Sequence, residues 1–161
     1  MKSSNNAAPV APPVVHLQRV ISAAPHKVFR AWLDTELLLR WMAPGALHVQ
    51  RAEVDERVGG SYRIWHANAT SDVGGFDCEL KEMVPDSRLV FRWGFVGPER
   101  NAGPHFDSLL TVTFSEVADG KTLLILVHEK LDALFTAMPD VANNVGMGWE
   151  LALDKLSTAV R

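Results

Sequence analysis

The 161-residue chain has a single cysteine, Cys78, which can close no internal disulfide and has no Cys-x-x-Cys or Cys/His cluster around it, as suits a reducing compartment. No uninterrupted apolar run approaches the ~20 residues that a membrane-spanning helix needs. The net charge is −3 and no long block of like charges occurs, so the electrostatic footprint of a nucleic-acid or anionic-lipid binder is missing. GxSxG, a phosphate-cradling loop and a helix-opening GxGxxG are also missing, and no serine or cysteine has an evident catalytic partner. The residue types for zinc exist in His66, His105, Asp107, His128 and Glu129, but none falls in a short ligand spacing such as HxxxH, so no metal and no cofactor is expected. Residues 1–14 carry one lysine, three prolines and no apolar core; they read as a disordered lead-in, neither secretory signal nor anchor, and the expected location is cytoplasmic.

What is present is one domain over residues 15–161, long enough to bury about two thirds of its unfolded surface around one core. Leu17, Arg19 and Ile21 share a strand phase. Pro25 then opens a short helix with Val28, Phe29, Trp32 and Leu33 at helical spacing, and Thr35 is placed to cap a second one that Pro44 and Gly45 end. Nearly ninety residues of alternating pattern follow, punctuated by Val58-Gly59-Gly60, Pro85-Asp86 and Asp119-Gly120, with a long Gly/Pro-rich loop over residues 94–108. Val145, Trp149, Ala152, Leu153, Leu156 and Val160 form the stripe of an amphipathic C-terminal helix, although Gly146 and Gly148 leave its start open. The sum is an α+β domain: a strand, two short helices, an antiparallel meander of about seven strands in all, and one long helix that must cover the sheet.

Seven stretches stand out when taken in order: RVISAAPHKVFRAW (19–32), LLLRWMAPG (37–45), VDERVGGSYRI (54–64), KEMVPDSRLVFRW (81–93), SLLTVTF (108–114), KTLLILVHEKL (121–131) and GMGWELALDKL (146–156). Together they resemble the activator-of-Hsp90-ATPase-homologue-like branch of the START/Bet v 1-like superfamily, often called SRPBCC. The resemblance implies a helix-grip fold, with the sheet curled around the C-terminal helix and a cavity between them. One departure stands out. Leu123, Ile125 and Val127 form an apolar stripe on the face away from the helix, which suggests a homodimer contact or a cover by the N-terminal segment.

With the more apolar strand faces turned to the helix, the expected ligand-binding wall comprises Trp41, Tyr62, Ile64, His66, Phe76, Phe91, Trp93, Val112, Phe114, Leu126 and His128, with Met147 and Trp149 from the helix. His105 and Phe106 are expected in a lid at the mouth. An aromatic wall with few polar groups suits a small hydrophobic or aromatic molecule, with His66 or His128 orienting it. Two other functions remain open. One is a cofactor-free cyclase, dehydratase or hydrolase using an inward histidine as base. The other is Hsp90 ATPase activation, which the family name implies. Against it, the eukaryotic co-chaperone pairs this domain with a separate chaperone-binding domain, whereas here about fourteen residues precede the first strand; an Hsp90-type chaperone is therefore not an expected partner.

Overall fold

The computed structural model describes residues 12–161, so the lead-in expected over residues 1–14 lies almost wholly outside the described residues. The chain runs β1 (Val15–Ile21), α1 (Pro25–Ala31), α2 (Thr35–Trp41), β2 (His48–Val54), β3 (Ser61–Ala67), β4 (Asp72–Val84), β5 (Arg88–Val96), β6 (His105–Val117), β7 (Lys121–Glu129), α3 (Asp132–Ala137), α4 (Pro139–Asn143) and α5 (Val145–Ala159). All seven strands join one antiparallel sheet in the order β1-β7-β6-β5-β4-β3-β2. Only the β1–β7 pairing is non-local; the rest is a meander, as the alternating pattern implies. Register shifts at Val49/Arg51, His66/Ala67 and Leu80/Glu82 each add local twist, and the sheet curls.

Pro25 takes the first turn of α1, where its missing N–H costs nothing. For α2 the cap is Asp34, not Thr35: its carboxylate accepts the Glu36 N–H. α2 packs on β2 and α5, and α5 lies across the concave face with Val145, Trp149, Ala152, Leu153 and Leu156 buried. Arg19 shares the inward phase of β1, as its spacing predicts, and reaches the other face of α5 to pair with Asp154 at 2.7 Å. The β2–β3 turn needs its glycines. Gly59 has φ +84°, and a Cβ at Gly60 would meet the Asp55 carbonyl oxygen at 2.0 Å.

Two differences from the sequence reading shape the site. Residues 131–144, which show no pattern as clear as that of α5, form the consecutive short helices α3 and α4, joined at Met138. The expected loop over 94–108 is largely strand: Phe95 pairs with Phe106 and Val96 with His105, leaving only residues 97–104 as the connection. His105 and Phe106 therefore belong to β6, not to a loop. Strand pairing satisfies backbone groups that a free loop would leave to water, and the alternation simply continues past Gly94.

α5 starts at Val145, so both early glycines are helical. A Cβ at Gly146 would touch only Val15, at 3.7 Å, an ordinary contact. Gly146→Ala should therefore raise stability by about 0.5–1 kcal/mol, since alanine loses less backbone freedom on folding. Urea unfolding checks this, and a lower midpoint would mean that the α5–β1 approach is tighter than the backbone indicates. No helix among the described residues is long and apolar enough to cross a membrane.

Candidate functional site

The concave face is mostly solid. Trp32, from the end of α1, stacks on Trp149 at 5.7 Å and packs edge-on against Trp41 at 4.8 Å. Beneath them Tyr62, Phe91 and Trp93 pack ring to ring. Tyr62 donates to the Trp32 carbonyl at 2.6 Å and Trp41 to the Ala31 carbonyl at 2.8 Å, so both polar handles are met inside the core.

Space opens at one end of the sheet, where β3 finishes, β4 begins, β5 finishes and β6 begins. An open cleft of about 910 Å³ lies between these strand ends, the loop 97–104, the α2–β2 connection and the α3–α4–α5 segment. Its walls include Met42, Leu47, Phe76, Phe95, Phe106, Leu134, Met138, Val141 and Trp149. The polar side chains along it are His66, Glu99, Asp140 and Asn144.

Of the residues expected from sequence, His66, Phe76, Phe106 and Trp149 come together on this cleft. Trp41, Tyr62, Ile64, Phe91, Trp93, Val112, Phe114, Leu126 and His128 are core residues behind it. Met147 points the other way and is 59% exposed. The physical reason is the depth of packing. Trp32 and Trp149 fill the middle of the grip, so inward strand phase means core at the centre and cleft wall only at the open end. Phe95, Leu134, Met138 and Val141 were missed; the i, i+4 spacing of Leu134 and Met138 before Pro139 is the signal that finds two of them.

The two inward histidines have different surroundings. His66 donates from Nε2 to the Met42 carbonyl at 2.7 Å, an oxygen that can only accept, which leaves the Nδ1 lone pair on a neutral ring. Burial pushes its pKa down to about 4. His128 is fully buried and wired at both nitrogens. Trp149 Nε1–H donates to Nδ1 at 3.0 Å, which forces the proton onto Nε2, facing Ser108 Oγ at 2.7 Å; Ser108 in turn donates to the Trp93 carbonyl at 2.9 Å. Burial lowers this histidine to about 3. In that tautomer His128 cannot take the Ser108 proton, so the pair is a strut that fixes the Trp149 ring in the cleft wall. Burial also raises the Cys78 thiol far above its ordinary value, as fits a core side chain.

The loop 97–104 is held from outside the sheet. Arg100, almost buried, donates to the carbonyls of Ile64 and Phe76 on neighbouring strands and lies 4.2 Å over the Trp65 ring. Gly75, at φ +150°, makes room for it: a Cβ there would meet the Ile64 carbonyl oxygen at 2.1 Å and the guanidinium at 3.0 Å. Asp107 pairs with Arg92 at 2.7 Å and His128 is enclosed in its strut, so the five zinc-type residues do not converge. Among the described residues no group of three or more His, Cys, Asp or Glu side chains is placed to hold a metal ion.

A seven-stranded antiparallel sheet gripping a C-terminal helix defines the helix-grip class of α+β domains. The chain belongs to the family described as activator of Hsp90 ATPase homolog 1-like protein, whose family model matches residues 22–161. Among solved structures, protein CV1439 from Chromobacterium violaceum is 27% identical with a TM-score of 0.71, covering 92% of this chain and 98% of that one. The AHSA1 protein SPO3351 from Silicibacter pomeroyi is 22% identical, TM-score 0.71, over 91% and 96% of the two chains. CalU16 from Micromonospora echinospora is 24% identical, TM-score 0.62, over 92% and 74%. No curated protein matches the chain.

Proposed function

We propose that this protein binds a small hydrophobic or aromatic molecule in the cleft at the open end of the grip. The observation that carries this is the cleft's make-up. About 910 Å³ of open space is walled by Phe76, Phe95, Phe106, Trp149 and aliphatic side chains, with four polar side chains among them. Apolar walls of that extent supply affinity through area removed from water, and the few polar groups set orientation. The family's ligand-binding fold supports the same reading.

The cyclase, dehydratase or hydrolase reading gains nothing from the geometry, since His128 has both nitrogens engaged and His66 is too weak a base to be poised near neutral pH. Chaperone regulation rests on the family's descriptive name. The stripe Leu123, Ile125 and Val127 lies half-buried on the convex face between β1 and β6, and we keep it as a proposed homodimer contact that light scattering tests directly.

Native mass spectrometry of the protein taken gently from its host tests the binding reading. A retained small molecule with an apolar skeleton is expected, and adding it back to stripped protein at 100 times its Kd should stabilise the fold by about 2.7 kcal/mol. Stripped protein whose melting temperature ignores every apolar or aromatic compound in a broad panel would defeat the reading.

A further inference from the structure

The cleft's polar side chains have a consistent sense. The side-chain donors in the buried part of the wall are already spent: His66 Nε2–H on the Met42 carbonyl and Trp149 Nε1–H on His128 Nδ1. At the exposed rim Asn144 gives one amide N–H to the Asp140 carbonyl at 2.7 Å and keeps the second. Apart from that second N–H, what the side chains leave for a guest is acceptors: the His66 Nδ1 lone pair, the Asn144 amide oxygen, and the carboxylates of Glu99 and Asp140. No lysine or arginine lines the cleft. His66 belongs to the buried end of β3 beside Phe76, with the ring centroids 4.8 Å apart, whereas Asp140 and Asn144 stand on exposed turns of α4 and its end.

We infer that the cleft selects an aromatic molecule carrying a neutral hydrogen-bond donor, a hydroxyl or N–H, which is given to His66 Nδ1, and discriminates against the same skeleton carrying a carboxylate. The inference rests on the binding reading above and specifies its ligand class. A donor placed on Nδ1 completes the bonding of the imidazole without any change in its protonation. A carboxylate there sets lone pair against lone pair and must lose its hydration in an apolar cleft, while the nearest cations, Arg100 and Lys155, stand outside the lining and are already bonded to the Ile64, Phe76 and Leu47 carbonyls. The first-turn N–H groups of α5 are the competing donors, because Asn144 provides that helix with no side-chain cap.

Calorimetric titrations with 2-naphthol, 2-methoxynaphthalene and 2-naphthoate separate these possibilities on one skeleton. Naphthol should bind about five- to tenfold more tightly than its methyl ether, the value of one neutral hydrogen bond, and more tightly than naphthoate. His66→Gln keeps a donor for Met42 and an oxygen for the guest, so it should keep the preference. His66→Phe should erase it, bringing the naphthol-to-ether affinity ratio to about one. Long-range ¹⁵N spectra of the unsubstituted protein add a readout that needs no variant: Nδ1 of His66 should shift on adding naphthol and stay in place with the ether. Equal affinity for naphthol and ether, or naphthoate binding as tightly as naphthol on the α5 amides, overturns the inference and leaves the binding reading intact. Failure of all three to bind defeats both.

Discussion

Lowering the pH from 8 to 5 should cost the folded protein roughly 4 kcal/mol, about half from His66 and half from His128. Both rings are neutral in the fold, with burial the first cause, and take protons only near pH 4 and pH 3. The unfolded chain binds both protons as pH falls through the ordinary histidine value of about 6.5. The unfolded state therefore holds more protons throughout the window from about pH 6.5 down to the folded values, and stability is lost as pH falls across it. At about 1.4 kcal/mol per pH unit, each histidine contributes roughly 2 kcal/mol by pH 5. Urea unfolding at pH 8, 6.5 and 5 measures this. His66→Gln should remove about half of the slope. A stability unchanged between pH 8 and 5 would mean that the histidines are far more hydrated than their enclosure indicates.

Removing the Trp149 side chain should be the most damaging single change in the cleft wall. Trp149→Ala deletes the ring stacked on Trp32 and strips His128 of its donor, at an expected cost of about 3–5 kcal/mol. Trp149→Phe keeps most of the apolar body and loses the N–H, which should cost about 1–3 kcal/mol as His128 Nδ1 is left buried without a partner. The two variants separate packing from tautomer control. In Trp149→Phe the imidazole is no longer obliged to carry its proton on Nε2, so its ¹⁵N shifts should move toward a tautomer mixture. Fixed shifts in that variant would show that Ser108 alone sets the tautomer.

Local chemistry made much of this architecture legible in advance. Pro25, the Gly59-Gly60 reversal, the Asp119-Gly120 turn and the 3.6-residue stripe of α5 are each short-range signals, and together they dictate the order of elements around the sheet. The site was less legible because it depends on depth. Strand alternation tells which side chains point inward but not where the interior is already full. Tyr62 and Phe76 share a phase, yet Tyr62 lies under Trp32 while Phe76 faces the cleft, and that difference is set by how far Trp32 and Trp149 reach across the grip. Met147 does not share the α5 stripe: two residues from both Val145 and Trp149, it lies about 200° round the helix from each, and the register that buries them turns it to solvent.

The segment 131–144 shows another limit. α3 and α4 are only six and five residues long, too short for a hydrophobic period to stand out, and their order comes from docking Leu134 and Ala142 against the rest of the fold. They nonetheless supply one rim of the cleft through Met138, Asp140 and Val141.

Amide and indole ¹H–¹⁵N correlation spectra of the protein titrated with 2-naphthol test the central claim most directly. Saturable shifts should gather on the Trp149 indole N–H and on the amides of Phe76, Phe106 and Val141, residues far apart in sequence that meet only in the cleft. Spectra unchanged at millimolar naphthol, or shifts confined to the convex stripe of Leu123, Ile125 and Val127, would contradict it.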